Sequence, residues 1–188
     1  MNLSHLPLAG LLTELTTFNP TRVVGVVSYL AAGIAAAVAA KRGGNKVIWG
    51  LVALVLFYAA VDIQLGLRHR VAEGFSGAWT SLGLRDQRKP YQIAVLVGVG
   101  AAVGVGIGVL VYRLRRAGWA VQLAAGATGL TVALLGVEVL SLHATDALLY
   151  RSVPGPVMAI GYAWMALAGV VVAAGLVEGV RAWRGRRS

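Results

Sequence analysis

Five long apolar runs, none of which contains lysine or arginine, constrain the fold of this chain more than any other feature. They cover approximately Val23–Ala40, Val47–Leu65, Tyr91–Tyr112, Trp119–Leu140 and Val157–Val177. A helix needs about 20 apolar residues to cross the roughly 30 Å hydrocarbon core of a bilayer. Backbone polar groups cannot be left unpaired in lipid, so runs of this length are expected to be helices. The sequence therefore predicts an all-α membrane protein with five transmembrane helices in a small bundle.

The composition excludes several classes of function. Of the 188 residues, 58% are hydrophobic and 13% are charged, whereas about 25% are charged in a typical soluble domain. The absence of cysteine excludes disulfides, thiolate metal sites and a cysteine nucleophile. The net charge of +10 does not indicate nucleic-acid binding, because the basic residues flank apolar runs and no soluble module remains to bind it. The expected partner is the lipid bilayer.

The distribution of lysine and arginine predicts the orientation in the membrane. Segments 41–46, 113–116 and 181–187 hold ten of the seventeen basic residues, and five spans place all three on one side. Cytoplasmic loops carry an excess of lysine and arginine. We therefore expect a membrane protein whose N-terminus lies outside and whose C-terminus is cytoplasmic. Segments 66–90 and 141–156 then lie on the outer face.

The chain divides into three parts around this bundle. Residues 1–20 are expected to form an interfacial helix that ends at Asn19-Pro20, because their leucines fall on one side. Residues 21–180 form a single transmembrane bundle, and residues 181–188 form a basic cytoplasmic tail. The outer loop 66–90 carries apolar residues at intervals of three to four, which predicts an amphipathic helix. Both amphipathic segments are expected to lie on the bilayer surface.

Glycines in the third span predict how that helix packs. Gly100, Gly104 and Gly108 are four residues apart, so one side of the helix carries no side chains. Such small-residue faces allow membrane helices to approach closely. They do not indicate a nucleotide-binding loop, since no strand precedes them. The interpretation favoured is contact with another helix of the same chain; contact with other membrane subunits or a second copy stays open.

Ionisable residues near the outer ends of two spans suggest a polar site. A charged side chain in the hydrocarbon costs at least about 2.5–3.5 kcal/mol on insertion scales and usually needs an inward-facing partner. At 1.5 Å per residue, Asp62 lies roughly 22 Å and Glu138 roughly 28 Å from the cytoplasmic ends of their helices. His143 and Asp146 follow Glu138 at the same boundary and, being three residues apart, can pair. We expect these four residues to lie at one level on the outer face.

Three short segments resemble those of a known family. Segments 62–65, 87–92 and 141–146 read Asp-Ile-Gln-Leu, Gln-Arg-Lys-Pro-Tyr-Gln and Ser-Leu-His-Ala-Thr-Asp. They resemble a family of small bacterial multi-pass inner-membrane proteins that reads Asn/Asp-Lys-Gln-Leu-Asp-Leu, Gln-Arg-Arg and Ser-Phe-His-His-Val-Asp. The family has no established function, so the resemblance implies architecture alone. This chain has Ile63, Gly66 and Ala144 where the family has a lysine, an acid and a second histidine, which weakens any multi-ligand metal site.

Three interpretations of the polar site stay open, and the sequence leaves the identity of any cofactor unknown. In the first, the polar groups form a structural network, and the chain is a structural or accessory subunit of a membrane complex. In the second, the chain is an enzyme or carrier for a lipid-linked or anionic substrate, with Asp62 or Glu138 as a base. The residues that would bind this substrate are Gln64, Arg85, Arg88 and Gln92. In the third, His69, His143 and Asp146 bind a metal, since imidazole and carboxylate suit zinc, iron or copper.

Overall fold

The computed structural model describes residues 19–43, 45–67, 88–140, 149–151 and 155–185. These residues form five long helices. In chain order they are α1 (Pro20–Arg42), α2 (Lys46–Leu65), α3 (Arg88–Leu114), α4 (Trp119–Leu140) and α5 (Ala159–Arg184). The all-α prediction is therefore confirmed for the described part of the chain. The predicted interfacial helix in 1–20 and the outer-loop helix in 66–90 lie almost entirely outside it.

Four of these helices are long and apolar enough to cross a membrane. They are α1, α2, α4 and α5, and they are compatible with an integral membrane protein. Within the described residues, α3 contributes a shorter apolar stretch, Gly100–Leu114. The helix itself has 27 residues, which corresponds to about 40 Å. The prediction of a fifth span is therefore not confirmed by apolar length.

The predicted boundaries agree closely at the start of α1 and differ at the end of α5. Helix α1 begins at Pro20, and the Asn19 side chain accepts a hydrogen bond from the Arg22 backbone N–H. Proline at the first position suits a helix start because its missing N–H would have no helical partner there. Helix α5 continues to Arg184, so it includes the first part of the predicted 181–188 tail. A basic segment can stay helical where it leaves the apolar zone.

Helices α1, α2, α4 and α5 form a four-helix ring, and α3 packs outside it against α4. The contacts run α1 to α2, α2 to α4, α4 to α5 and α5 to α1. We call one end of the ring the basic end; α1, α3 and α5 terminate there, and α2 and α4 begin there. The opposite end, where α1 and α5 begin and α2 and α4 terminate, is called the polar end. Helices α1 and α5 therefore run parallel to each other and antiparallel to α2 and α4.

Side-chain contacts fix these directions. At the basic end, the Arg181 guanidinium lies 5.2 Å from the ring centroid of Trp119, which joins the end of α5 to the start of α4. At the polar end, the Met158 backbone N–H donates to Thr21 Oγ1 over 2.9 Å, which joins the starts of α5 and α1. Between the ends, the buried Tyr29 hydroxyl donates a long 3.5 Å hydrogen bond to Thr131 Oγ1 on α4.

The glycines that permit close packing are in the ring. A Cβ added at Gly25 would lie 2.5 Å from Cε3 of Trp164, and one at Gly33 would lie 2.9 Å from Cε1 of Phe57. In contrast, a Cβ at Gly100, Gly104 or Gly108 would meet no described heavy atom within 4 Å. Contact between these α3 glycines and another helix of the same chain is thus not seen among the described residues.

Candidate functional site

The polar end is built on the start of α1. Asn19 caps this helix, and Thr21 in its first turn is 5% exposed because α5 covers it. The Thr21 hydroxyl accepts the Met158 N–H, one of the groups before α5 that has no helical carbonyl partner. Arg22 follows and is half-buried. The first turn of α1 thus brings an amide, a hydroxyl and a guanidinium to this end.

The end of α2 brings a carboxylate to the same end of the ring. Asp62 is 3% exposed, so it faces the protein, as the membrane cost of a carboxylate predicts. Gln64 is half-buried in the same turn. Helix α2 stops at Gly66, which has φ 62 and whose N–H donates to the Asp62 carbonyl. A left-handed residue at this position favours glycine and ends the helix one turn after Asp62.

The end of α4 supplies the second buried carboxylate. Glu138 is 3% exposed, and its Oε2 accepts a hydrogen bond of 2.9 Å from the Tyr150 hydroxyl. Hydrogen bonds to a charged group are stronger than those between neutral groups. Tyr150 belongs to the described 149–151 segment before α5, so this bond joins that segment to the end of α4.

A small cavity lies between these elements. It has a volume of about 80 Å³. Its lining residues are Asn19, Thr21, Arg22, Ile63, Gly66, Tyr150, Met158 and Trp164. Ligand pockets are typically about 300–1,000 Å³. The polar-end cavity has room for a few water molecules or a small anion, next to one guanidinium and one phenol.

The structure locates the predicted site residues unevenly. Asp62 and Glu138 are both buried and both lie at the polar end, where the depth estimate places them. Arg88 and Gln92 lie in the first turns of α3, and their side chains are outside the described part. The remaining candidates, His69, Arg85, His143 and Asp146, also lie outside the described residues. A meeting of all four acidic and histidine candidates therefore stays a prediction.

Sequence reasoning missed Thr21, Arg22 and Tyr150 as members of this end. Arg22 offered a signal, because it is a basic residue at the end of a span where the positive-inside rule expects few. Thr21 and Tyr150 offered none, since a threonine in a first helical turn and a tyrosine near an interface are common. Their roles depend on how α5 approaches α1 and α4, which is a tertiary feature.

The described residues contain no group of three or more histidine, cysteine, aspartate or glutamate side chains that could hold a metal ion. The metal interpretation depends on His69, His143 and Asp146, which lie outside the described residues. The described groups at this end form hydrogen bonds between separate elements, Tyr150 to Glu138 and Met158 to Thr21.

No protein-family model, curated protein or solved structure matches this chain. The resemblance of segments 62–65, 87–92 and 141–146 to bacterial inner-membrane proteins therefore stays an interpretation of short motifs.

Proposed function

We propose that this chain is an accessory subunit of a membrane protein assembly and that α3 carries the contact surface. The observation that carries the proposal is the open glycine face of α3, formed by Gly100, Gly104 and Gly108. Helix α3 lies outside the four-helix ring, so this face is available to another helix. Bare helix faces are where membrane helices associate through close backbone contact. The partner is another membrane subunit or a second copy of this chain.

The polar end supports a structural role. The Tyr150–Glu138 and Met158–Thr21 hydrogen bonds join elements that are separate in the sequence. In a low-dielectric environment such bonds fix the relative positions of helix ends. The cavity of about 80 Å³ between them is small for an enzyme that acts on a lipid-linked substrate. If the polar groups serve to stabilise the ring, a partner would be recognised elsewhere, and the outer surface of α3 is the surface we assign to this contact.

The path of the chain supports α3 as a fifth span. Helix α2 ends at the polar end and α4 begins at the basic end, so residues 66–118 have to return across the bundle. Helix α3 is the described element within this stretch, and its length of about 40 Å exceeds the roughly 30 Å hydrocarbon core. With five spans, the basic end faces the cytoplasm of a bacterial inner membrane and the N-terminus lies outside.

The test compares glycine-to-leucine variants extracted from their own membranes. We expect the wild-type protein to run as an assembly larger than the 19.5 kDa chain in native mass spectrometry. Gly104→Leu places a large side chain on the glycine face of α3, so this variant should be detected as the monomer. Gly169→Leu is the matched control, because Gly169 on α5 is also exposed with open space around its Cβ position. A wild-type monomer, or a Gly104→Leu protein that keeps its assembly, would contradict the proposal.

Anion binding at the polar end is the second candidate function. Arg22 lines the polar-end cavity together with the Asn19 amide and the Thr21 hydroxyl, groups that can donate hydrogen bonds to an anionic substrate. In this case inorganic phosphate should raise the melting temperature of the wild-type protein, since a ligand that binds the native state stabilises it. The rise should vanish in Arg22→Gln and persist in Arg151→Gln, an exposed arginine near the same end. An unchanged wild-type melting temperature leaves the network purely structural.

A further inference from the structure

A second groove lies at the basic end, across the membrane from the candidate site. It runs between the last two turns of α1 and the last third of α5 and has a volume of about 340 Å³. Its apolar walls include Val38 on α1 and Leu176 and Val180 on α5, which are 39%, 63% and 51% exposed. These side chains face outward from the ring. We call this feature the α1–α5 groove.

Small residues create the α1–α5 groove. A Cβ added at Gly175 would lie 3.2 Å from the Ala35 carbonyl oxygen, so the two helix backbones nearly touch there. One turn later, a Cβ at Gly179 would meet no described heavy atom within 4 Å. The floor of the groove therefore has no side chain at Gly179, and the space above it is open.

The end of the groove carries a positive charge and an indole. Arg42, the last residue of α1, and Trp183 both line it, and Trp183 is 50% exposed. Arg181 and Arg115 at the same end lie over the rings of Trp119 and Tyr112, at 5.2 and 4.2 Å.

One acid faces this end from α5. A Cβ at Gly43 would lie 2.8 Å from Glu178 Oε1, so the Glu178 carboxylate is beside the residue that follows Arg42. Besides Arg42, the other charged residues at the basic end within the described ranges are Lys41, Lys46, Arg113, Arg115, Arg116, Arg181 and Arg184. The basic end, where the groove opens, therefore has a net positive charge despite Glu178.

The dimensions match part of one bilayer leaflet. From Ala35 to Arg42 the groove follows about 10 Å of helix. A leaflet contributes about 15 Å to the hydrocarbon core. The apolar walls thus lie at acyl-chain depth, and Arg42 and Trp183 lie where headgroups begin. Tryptophan is enriched at this depth, and basic pockets between transmembrane helices bind anionic headgroups.

We propose that the α1–α5 groove binds one anionic phospholipid. An acyl chain lies over Gly179 between Val38 and Val180, the phosphate pairs with the Arg42 guanidinium, and Trp183 flanks the headgroup. Arginine suits phosphate because its planar N–H groups can donate two hydrogen bonds at once. The occupant is a lipid because the walls face the bilayer and the charge stands at headgroup depth. This site is independent of the assembly surface proposed for α3.

The test measures retained lipid by native mass spectrometry of the full chain in detergent. Phosphatidylglycerol and phosphatidylcholine with identical acyl chains are added separately, so the two probes differ in headgroup alone. We expect wild type to retain one phosphatidylglycerol in preference to phosphatidylcholine. Arg42→Gln should bind phosphatidylglycerol about tenfold more weakly, which is the effect of losing one charge-assisted interaction. Arg113→Gln, an exposed arginine at the same end on α3, should behave as wild type.

Filling the groove provides a second variant that keeps the charge. Gly179→Leu should lose retention of both lipids, while Gly169→Leu on the same helix should keep it. Helix content by circular dichroism confirms that each variant is folded. An equal loss of phosphatidylglycerol binding in Arg42→Gln and Arg113→Gln would show that the lipid is attracted to the basic surface in general, and it would overturn the proposed site. Unchanged lipid retention in Gly179→Leu would also overturn the proposed lipid site. So would a wild-type dimer that Gly179→Leu dissociates, because the groove would then hold a second copy of the chain.

Discussion

The hydrogen bond from Tyr150 to Glu138 is the clearest single-residue interaction to test. Tyr150→Phe removes the hydroxyl 2.9 Å from Glu138 Oε2 and leaves the buried carboxylate with one donor fewer. We expect the free energy of unfolding to fall by about 1–3 kcal/mol, the usual cost of a lost partner for a buried group. Thermal melting of the detergent-solubilised protein measures it.

Two further variants make this comparison specific. Tyr58 is 58% exposed, so Tyr58→Phe removes the same hydroxyl from the outer surface of the ring. This variant should melt at the same temperature as wild type. Glu138→Gln keeps an acceptor for the Tyr150 hydroxyl and should lose less stability than a change to alanine. If Tyr150→Phe and Tyr58→Phe melt at the same temperature, the bond contributes nothing to the ring.

Single residues also show what could be derived from the sequence. The burial of Asp62 and Glu138 followed from the cost of a carboxylate in lipid, and both lie at the expected end. Other contacts at this end did not follow from the sequence, because they join distant residues; Thr21 and Met158, for example, are 137 residues apart in the chain. The local sequence pattern predicts that a buried polar residue needs a hydrogen-bond partner, but it does not identify a partner that is distant in the chain.

At the scale of elements, close helix packing depends on individual glycines in the ring. Gly25→Ala would place a methyl group 2.5 Å from Cε3 of Trp164, which is 2% exposed and has little room to move. Overpacking of this kind costs about 1–3 kcal/mol. Gly50→Ala is the control, because its Cβ meets nothing within 4 Å, and it should stay within about 1 kcal/mol of wild type. Equal stability of the two variants in thermal melts would show that α1 can move away from α5.

Glycine spacing in the sequence pointed to a different helix. The regular four-residue interval in α3 marks a bare face, whereas Gly25 and Gly33, which are in close contact with side chains of neighbouring helices, lie on α1. A periodic pattern shows that a neighbour is able to approach. Whether one does depends on where the helices cross, and the crossing of α1 with α5 is set by connectivity and by side chains from several helices.

The α3–α4 turn is held by Gln122. Its Nε2 donates to the carbonyls of Leu114 and Ala117, each over 3.1 Å, and so provides partners for carbonyls at a helix end. Gln122→Leu should destabilise this turn by about 1–2 kcal/mol. Hydrogen exchange should then increase for residues 115–118 and stay unchanged at the start of α1. Increased exchange throughout the ring would show instead that Gln122 supports the whole fold.

At the scale of the whole molecule, the direction of α3 decides the topology. Four of the described helices are long and apolar enough to span a membrane. The helix contacts place the end of α2 and the start of α4 at opposite ends of the ring, so we predict that α3 crosses the membrane as well. The sequence predicted five spans from run length, and the run Tyr91–Tyr112 within α3 contains no charged residue. The chain has no native cysteine, so single cysteines can report the side on which each position lies.

Three exposed positions separate the two topologies in intact membranes. Lys46→Cys reports the basic end, Arg115→Cys the α3–α4 turn, and Pro156→Cys the segment before α5. If α3 crosses, a membrane-impermeant maleimide should label Pro156→Cys alone, and the other two should react after permeabilisation. If α3 does not cross, residue 115 lies on the opposite side of the membrane from residue 46, and residue 156 lies on the same side as residue 46. From outside, the maleimide labels Pro156→Cys if α3 crosses and Arg115→Cys if it does not. Labelling from outside alone therefore distinguishes five spans from four.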